Sequence, residues 1–462
     1  MTLLRFLTID LFLYDLHDTL TASEIEMEDV RRQFWQRIYG KKVETKLFTL
    51  QAAENNFSSF IELLTQRIEP FASTGKEDGY YYPVKIGDTY ALQIDYSGKL
   101  NDPDWENPDI ADRVQSFKQA ILIKTHNLAP SLGQNWLISA QLTDAHQDAT
   151  ATAQMCYQSW SDRAKWDQDY KGTGTFNGAT FFELEQHDTA ADSKNQNQHL
   201  LICLFPAACD KKEIDRTIAQ LYRDLLRLFL YRNKVLWVYE QSRQLKVTLK
   251  RMNRAIQKLD GDLYSQITNA SIDLHHLQEV LANALSVSNK YESLLGNLQG
   301  QLTTIDLNAQ NYKSRVESLR QRDAHADLDF FDRFSTYAAE VCLAQIKTDS
   351  TTFSTGLKPL ETFIKTVQGI TDIEKAKNDR TFNQTVAIAT VGVSTASLAA
   401  STLSNQADTI VKTLLPVAKD QPTPPLNAWV NFGLPFVLSL VIGLMGAGIT
   451  WRWLKGNMNY NR

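Results

Sequence analysis

The chain has few cysteines and lacks the motifs that mark most enzymes and metal sites. Its 462 residues include four cysteines, Cys156, Cys203, Cys209 and Cys342, and none of them stands in C-x-x-C spacing. This favours buried or half-buried thiols in a reducing compartment over a disulfide or zinc framework. No P-loop or G-x-S-x-G sequence occurs, and the glycines of residues 172–178 miss the dinucleotide fingerprint by one residue. We therefore predict no catalytic residues, no enzyme activity and no tightly bound cofactor.

A cleavable secretion signal is also missing. Residues 3–13 are hydrophobic, but Arg5 and Asp10 interrupt them and no small-residue cleavage site follows. We therefore expect no signal peptide.

Excess positive charge is scarce except in one segment. The whole chain carries a net charge of −5, with a sequence pI near 6.0. Residues 211–258 contain 13 Lys or Arg against four acidic residues, a net charge of +9. Such a segment either pairs with acidic helices or anionic headgroups, or forms a nucleic-acid-binding stripe. No nucleic-acid motif accompanies it, so we expect no nucleic-acid partner.

Long stretches without charge occur in the last eighty residues. Residues 381–407 and 421–451 each exceed the roughly 20 apolar residues that cross a bilayer. Basic residues flank both stretches on their outer sides, which predicts that both termini are cytoplasmic. We expect a first transmembrane helix at 381–404, an extracytoplasmic loop at 405–428, a second helix at 429–453 and a cytoplasmic tail at 454–462. This predicts an integral protein of the inner or plasma membrane, with the lipid bilayer as a partner.

Residues 1–208 mix strand and helix patterns. Strand patterns occur in residues 6–14, 90–96, 120–124, 136–141, 180–185 and 199–205, and helical periodicity occurs in residues 23–38, 57–68 and 151–166. An α/β domain of five or six strands with covering helices accounts for this mixture and is large enough to bury its own core. We assign residues 1–208 to a cytoplasmic α/β domain.

Residues 209–380 have helical patterns and no strand signal. Apolar and small residues recur with alternating spacings of four and three from Leu263 to Leu319, which predicts one helix about 85 Å long at 1.5 Å per residue. A preceding helix is expected at 211–258, and a third begins near Asp327, breaks at 356–359 and continues toward the membrane. The predicted fold class is an α+β membrane protein with an N-terminal α/β cytoplasmic domain, a long helical stalk or coiled-coil bundle, and two C-terminal transmembrane helices.

The first uncharged stretch carries a polar face with the same spacing. The face contains Ala387 and six polar residues, Asn383, Thr390, Ser394, Ser397, Ser401 and Ser404. In a membrane helix such a face serves either close packing through small residues or the lining of a hydrated pore. The six polar residues are therefore candidates for pore lining.

The order of these elements, an α/β domain, long helices, two spans and a basic tail, resembles the CorA-type magnesium and divalent-cation transporters. Residues 379–400 are similar to that family's first span, and residues 432–455 are similar to its second span and tail. The family's Gly-Met-Asn signature is absent, since the chain reads Leu403-Ser404-Asn405 at that position. Asn405 alone matches the asparagine of the signature, as a candidate ion contact at the outer mouth.

The resemblance implies a homopentamer with a central pore for hydrated divalent cations and with cytoplasmic metal sites that control opening. Mg²⁺ or a similar ion is then the implied substrate or regulator, and Asp372, Glu374 and Asp379 are candidate metal residues at the inner mouth. We expect a CorA-like channel or transporter with altered selectivity. The alternative is a membrane-anchored oligomeric signalling, defence-effector or scaffold protein that has lost ion transport. No small-molecule substrate is predicted.

Overall fold

The computed structural model describes most of the chain before residue 378. The described residues are 3–18, 23–44, 46–47, 59–71, 78–98, 110–186, 198–267 and 274–377. The chain divides into two compact units, the first with Met1–Lys246 and Asn297–Ser350, the second with Val247–Gly296 and Thr351–Arg462.

The first unit contains a mixed β-sheet to which nine strands of the described chain contribute. The strands are β1 Leu4–Leu16, β2 Ile61–Glu62, β3 Glu69–Pro70, β4 Asp78–Ile86, β5 Thr89–Gly98, β6 Gly133–Leu142, β7 Tyr170–Phe176, β8 Ala179–Gln186 and β9 Gln198–Phe205. Their order is β2-β4-β5-β1-β6-β9-β8-β7, and β3 also pairs with β4. β6 and β9 run parallel, whereas the other described pairs are antiparallel.

The central strand β1 is buried on both faces. Ile9, Leu11 and Leu13 belong to the hydrophobic core on one face of the sheet. Phe12 and Tyr14 point to the opposite face, since successive side chains of a strand alternate. Both of these are also fully buried. Burial on both faces explains why β1 reads as a nearly continuous apolar run.

Four helices, α1 Glu24–Tyr39, α2 Ile110–Lys124, α3 Ala149–Trp160 and α4 Trp166–Asp169, follow or precede strands of the sheet. A capping box starts α1, because the Ser23 hydroxyl accepts from the Glu26 amide while the Glu26 carboxylate accepts from the Ser23 amide. α1 contributes Phe34 and Trp35 to the core, and α3 contributes Trp160. Each such aromatic side chain adds roughly 1.5–3 kcal/mol by leaving water.

Long helices follow the sheet along the chain. They are α5 Lys211–Ile267, α6 Leu274–Arg320, α7 Asp329–Tyr337, a π-helical segment Ala338–Leu343, α8 Ala344–Thr355 and α9 Leu357–Lys377. In the first unit α5 covers the second face of the sheet, where the ring of Phe229 lies 5.2 Å from that of Phe12. The predicted domain boundary at 208 falls between β9 and α5 and stays a prediction.

The heptad pattern is confirmed as the inward face of α6. Leu277, Leu281, Leu298, Ile305 and Val316 are all at most 5 % exposed. The pattern does not belong to one helix from residue 263, because α5 ends at Ile267 and α6 begins at Leu274, with residues 268–273 outside the described chain. The predicted break near residue 356 is confirmed between α8 and α9.

Two local predictions are wrong. Residues 120–124 form the last turn of α2 and not a strand, because Val114, Phe117 and Ile121 are buried at helical spacing. Residues 57–68 do not form the predicted helix, since the described part contains β2 and bends. β2 pairs with β4 in the sheet, so tertiary pairing decides this segment.

The membrane fold class and the two-span localisation are wrong for the described part of the chain. Among the residues described up to 377, no helix combines the length and the apolar character needed to cross a bilayer. α5 and α6 are long enough, with 57 and 47 residues, but charged side chains interrupt them throughout. The predicted spans at 381–404 and 429–453, the loop at 405–428 and the tail at 454–462 lie outside the described residues.

Candidate functional site: an arginine pocket

All but two of the candidate ion-binding residues from the sequence lie outside the described chain. Asp372 is exposed on α9, Glu374 lies on the same helix, and Asp379 lies outside the described residues. The pore candidates Asn383, Thr390, Ser394, Ser397, Ser401, Ser404 and Asn405 also lie outside them. Within the described ranges, no group of three or more His, Cys, Asp or Glu residues could hold a metal ion. These assignments stay predictions.

The first unit instead contains a cavity of about 390 Å³ rich in arginine. It is lined by Ala219, Gln220, Arg223, Asp224 and Arg227 of α5, by Arg315 of α6, and by Arg322 two residues beyond α6. Among these described lining residues, four guanidinium groups face one carboxylate, so the lining carries a net charge of +3. We call this site the arginine pocket.

Asp224 is held between two of these arginines. Its side chain is 2 % exposed, and each carboxylate oxygen has its own partner. Arg315 Nη1 donates to Oδ1 at 3.1 Å, and Arg322 Nη1 donates to Oδ2 at 2.5 Å. A buried carboxylate is tolerated only with such compensation. The three residues therefore join α5 to the C-terminal end of α6.

The other two arginines share an aromatic ring. The guanidinium groups of Arg223 and Arg227 lie 5.2 and 4.7 Å from the centre of the Phe60 ring, within the range of cation–π attraction. They are one turn apart on α5, so their side chains lie on the same side of the helix. Within the described part of the chain, neither guanidinium has a carboxylate within 4.0 Å. Phe60 orients these two charges without neutralising them.

The electrostatics of the arginine pocket reflect its excess of positive charge. Burial, together with the guanidinium groups of Arg315 and Arg223, lowers the pKa of Arg227. Arg315 Nε is buried and has no hydrogen-bond partner among the described residues. Uncompensated positive charge and an unused donor are the properties of a site that binds anions.

The opposite side of α5 is fixed to the sheet. The Tyr222 hydroxyl lies 3.0 Å from carboxylate oxygens of both Asp10 and Asp95, and the Tyr14 hydroxyl donates to the Leu226 carbonyl at 2.9 Å. Tyr222 and Leu226 lie next to the lining residues Arg223, Asp224 and Arg227 in the sequence. The backbone that carries these three charged residues is therefore anchored to β1 and β5. Such support holds a binding site in a fixed geometry.

One turn further along α5, a buried polar cluster continues this anchoring. Asn233 donates to Asn135 at 2.6 Å, and the His199 ring lies 2.9 Å from Asn135 and 2.8 Å from Glu183. Arg232 pairs with Glu185 at 2.8 Å. Burial, followed by the charge of Arg232, lowers the pKa of His199. His199 is 1 % exposed, so this cluster links α5 to the sheet and offers no surface to a ligand.

The glycine-rich segment 172–178 serves packing. Gly172 and Gly174 lie in β7, and a Cβ on Gly174 would lie 2.1 Å from the Asp327 carbonyl oxygen and 2.8 Å from the Phe330 ring. Asn177 and Gly178 have positive φ angles, as the tight turn between β7 and β8 requires. The absence of side chains at these glycines lets the start of α7 approach the sheet.

Neither of two comparisons with known proteins identifies a relative: no protein-family model matches the chain, and no curated protein matches it. The resemblance to CorA-type transporters therefore stays a prediction from residues 379–455. Sequence reasoning missed the arginine pocket, although it singled out the basic segment 211–258. The signal within that segment is the i, i+4 pair Arg223 and Arg227 beside Asp224.

Proposed function

We propose that this chain is a non-catalytic regulatory protein that binds a small phosphate-bearing ligand in the arginine pocket. The observation that carries the proposal is the cavity lined by four arginines and one carboxylate. Guanidinium groups bind phosphate well because their planar fork of donors matches two phosphate oxygens at once. The function belongs to the signalling class that was the alternative from the sequence.

The dimensions of the arginine pocket favour a small molecule over a macromolecule. Its volume of about 390 Å³ lies near the lower end of the range, roughly 300–1,000 Å³, that is usual for small-ligand sites. A nucleic acid would need a longer basic surface with stacking side chains. The ligand is therefore a compact anion or a molecule that inserts one.

The lining favours binding over chemistry. Among the described lining residues none is Ser, Thr, Cys or His, so the usual nucleophiles and bases are absent from this part of the lining. Asp224 is engaged by Arg315 and Arg322 and has no oxygen left without a charged partner. This supports a regulatory role, in which the ligand is bound and not chemically transformed.

The test is binding of inorganic phosphate by the full chain, measured by calorimetry and thermal unfolding at constant ionic strength. The double variant Arg223→Gln/Arg227→Gln removes the two unpaired guanidinium groups. We expect its affinity for phosphate to fall at least about tenfold, because a hydrogen bond to a charged group contributes roughly 1.5–3 kcal/mol. Ligand stabilisation of the folded state should fall in parallel.

A matched control variant loses the same two positive charges outside the arginine pocket. Arg216→Gln/Arg243→Gln removes two exposed cations from the same helix, and Arg216 is 70 % exposed. This control should bind phosphate within about twofold of the wild type, since surface charges are largely screened. Equal weakening in both double variants, or no phosphate binding by the wild type, would contradict the proposed function.

A further inference from the structure

The four arginines of the pocket form two pairs, and one pair already holds an anion. Arg315 and Arg322 share the carboxylate of Asp224, with one oxygen each. Arg223 and Arg227 share the Phe60 ring and have no carboxylate within 4.0 Å among the described residues. Each pair has the composition of a site for one anionic group. The arginine pocket thus contains two anion subsites, one filled by its own side chain.

We propose that Asp224 determines the specificity of the arginine pocket by occupying the subsite of Arg315 and Arg322. The wild-type pocket then accepts one phosphoryl group, between Arg223 and Arg227, and gives little advantage to a ligand with two. This inference rests on the proposed function, because it assumes that phosphoryl groups bind in this pocket.

Burial makes Asp224 difficult to displace. Its side chain is 2 % exposed, so a ligand that took its two partners would leave a buried carboxylate without compensation. The displaced carboxylate would also stand next to the second phosphoryl group of the ligand and repel it. A ligand with one phosphoryl group avoids both costs.

The test compares inorganic phosphate with pyrophosphate in the wild type and in Asp224→Asn. The substitution removes the charge that holds this side chain between Arg315 and Arg322, so a phosphoryl group can displace it. In the wild type we expect the two affinities to agree within about threefold. In Asp224→Asn we expect pyrophosphate to bind at least about tenfold more tightly than phosphate, because it reaches both arginine pairs. Asp215→Asn, an exposed change of equal charge on the same helix, should keep the wild-type ratio.

Arg322→Gln distinguishes occupation of a subsite from a general change in the electrostatic potential of the arginine pocket. In the wild type this variant should keep the ratio of pyrophosphate to phosphate affinity within about threefold, because Arg322 is engaged by Asp224. In the Asp224→Asn background it should abolish most of the gain for pyrophosphate, which a general effect of charge would not do. Arg322 is 44 % exposed, so its replacement is compatible with folding.

Two results would overturn the proposal: an unchanged ratio of affinities in Asp224→Asn, or a gain for pyrophosphate in Asp224→Asn that persists when Arg322→Gln is added. If Asp224→Asn does not fold, the wild type decides, because pyrophosphate binding at least about tenfold tighter than phosphate would contradict an occupied subsite. These failures differ from failure of the proposed function. That function fails when the wild type does not bind phosphate, or binds it without dependence on Arg223 and Arg227.

Discussion

Asp10 and Asp95 lie opposite each other on β1 and β5, and the Tyr222 hydroxyl lies 3.0 Å from an oxygen of each. A phenol has one hydrogen, so it donates to one carboxylate only. The second contact becomes a hydrogen bond when the other carboxyl group is protonated. Burial and the charge of Asp95 raise the pKa of Asp10 well above its usual range, and burial raises the pKa of Asp95 to about 6.

The raised pKa values of Asp10 and Asp95 predict that the free energy of unfolding falls as pH rises. In the unfolded chain both carboxyl groups lose their protons near pH 4, whereas the folded chain keeps a proton to about pH 6 or above. The folded state therefore binds more protons between these values, and the free energy of unfolding decreases across this window. Asp95→Asn should flatten this dependence and raise stability above pH 6, as measured by urea unfolding from pH 5 to 8.

The exposed variant Asp167→Asn serves as control for the loss of one charge and should follow the wild-type curve. The groups that face the pair are Gln93, Tyr222 and Tyr80, with Asp78 nearby, and all are unchanged in Asp95→Asn. A wild-type pH dependence that survives in full in Asp95→Asn would contradict a contribution of Asp95 to this titration.

Arg37 is a buried residue whose loss we expect to be severe. It is fully buried, forms an ion pair with Asp15, and donates to the carbonyls of Leu128 and Ala129 at 3.1 and 2.9 Å. Arg37→Met leaves Asp15 buried with only the Ser131 amide as a described partner at 2.9 Å. Loss of one member of a buried pair costs roughly 3–5 kcal/mol. Chemical denaturation should show this loss as a lower midpoint at an unchanged slope.

The control for Arg37→Met is Arg32→Met on the same helix, where the side chain is 46 % exposed. It should change the free energy of unfolding by less than about 1 kcal/mol, as surface ion pairs do. Similar effects of the two substitutions would show that Arg37 contributes little beyond its position in the helix.

Gly174→Ala should destabilise the contact between β7 and the start of α7. The added Cβ would meet the Asp327 carbonyl oxygen at 2.1 Å, and the backbone there cannot move aside without losing the hydrogen bonds between Thr175 and Asp327. Overpacking of this kind costs roughly 1–3 kcal/mol. Thermal unfolding of the purified variant measures the effect.

Gly300→Ala is the matched substitution in open space. Gly300 lies in α6 with open space at the position of an added Cβ, so the variant should gain about 0.5–1 kcal/mol from helix propensity. A loss of stability in Gly300→Ala, or no loss in Gly174→Ala, would contradict the packing described for these glycines.

Cysteine labelling should distinguish one thiol from the other three. Cys156, Cys203 and Cys342 are buried, and Cys209 is partly exposed before α5. Burial, with the carboxylates of Glu213 and Asp210, raises the pKa of Cys209, so its reaction with iodoacetamide should be slow at pH 7 and faster toward pH 9. Peptide mapping of the native chain should find this site modified first. Rapid native labelling of Cys156 would contradict the buried core.

Local periodicity made α6 predictable. The inward positions from Leu277 to Leu319 repeat at three and four residues, and this period is visible without knowledge of the partner surface. The two wrong assignments differ in cause. Residues 57–68 have a helical period that the pairing of β2 with β4 overrides. Short apolar segments such as residues 120–124 have no clear period, so the packing of α2 against the sheet decided the outcome.

The arginine pocket depends on contacts that the sequence does not reveal. Arg223 and Arg315 are 92 positions apart in the sequence, yet both line the same cavity. The basic segment 211–258 also contains Arg232, which pairs with Glu185, and Lys246, which pairs with Asp349 at 2.7 Å. Composition alone cannot tell these neutralised cations from the two that remain unpaired on Phe60.

The central position of β1 has a consequence for synthesis on the ribosome. β1 emerges first, yet its neighbour β6 begins at Gly133, 117 residues after Leu16. At roughly 5–20 residues per second, about 6–23 s pass before that neighbour is made. During this interval an apolar strand has at least one unpaired edge, which is the usual start of aggregation. Protection of the nascent chain by a chaperone therefore matters most before residue 142 is translated.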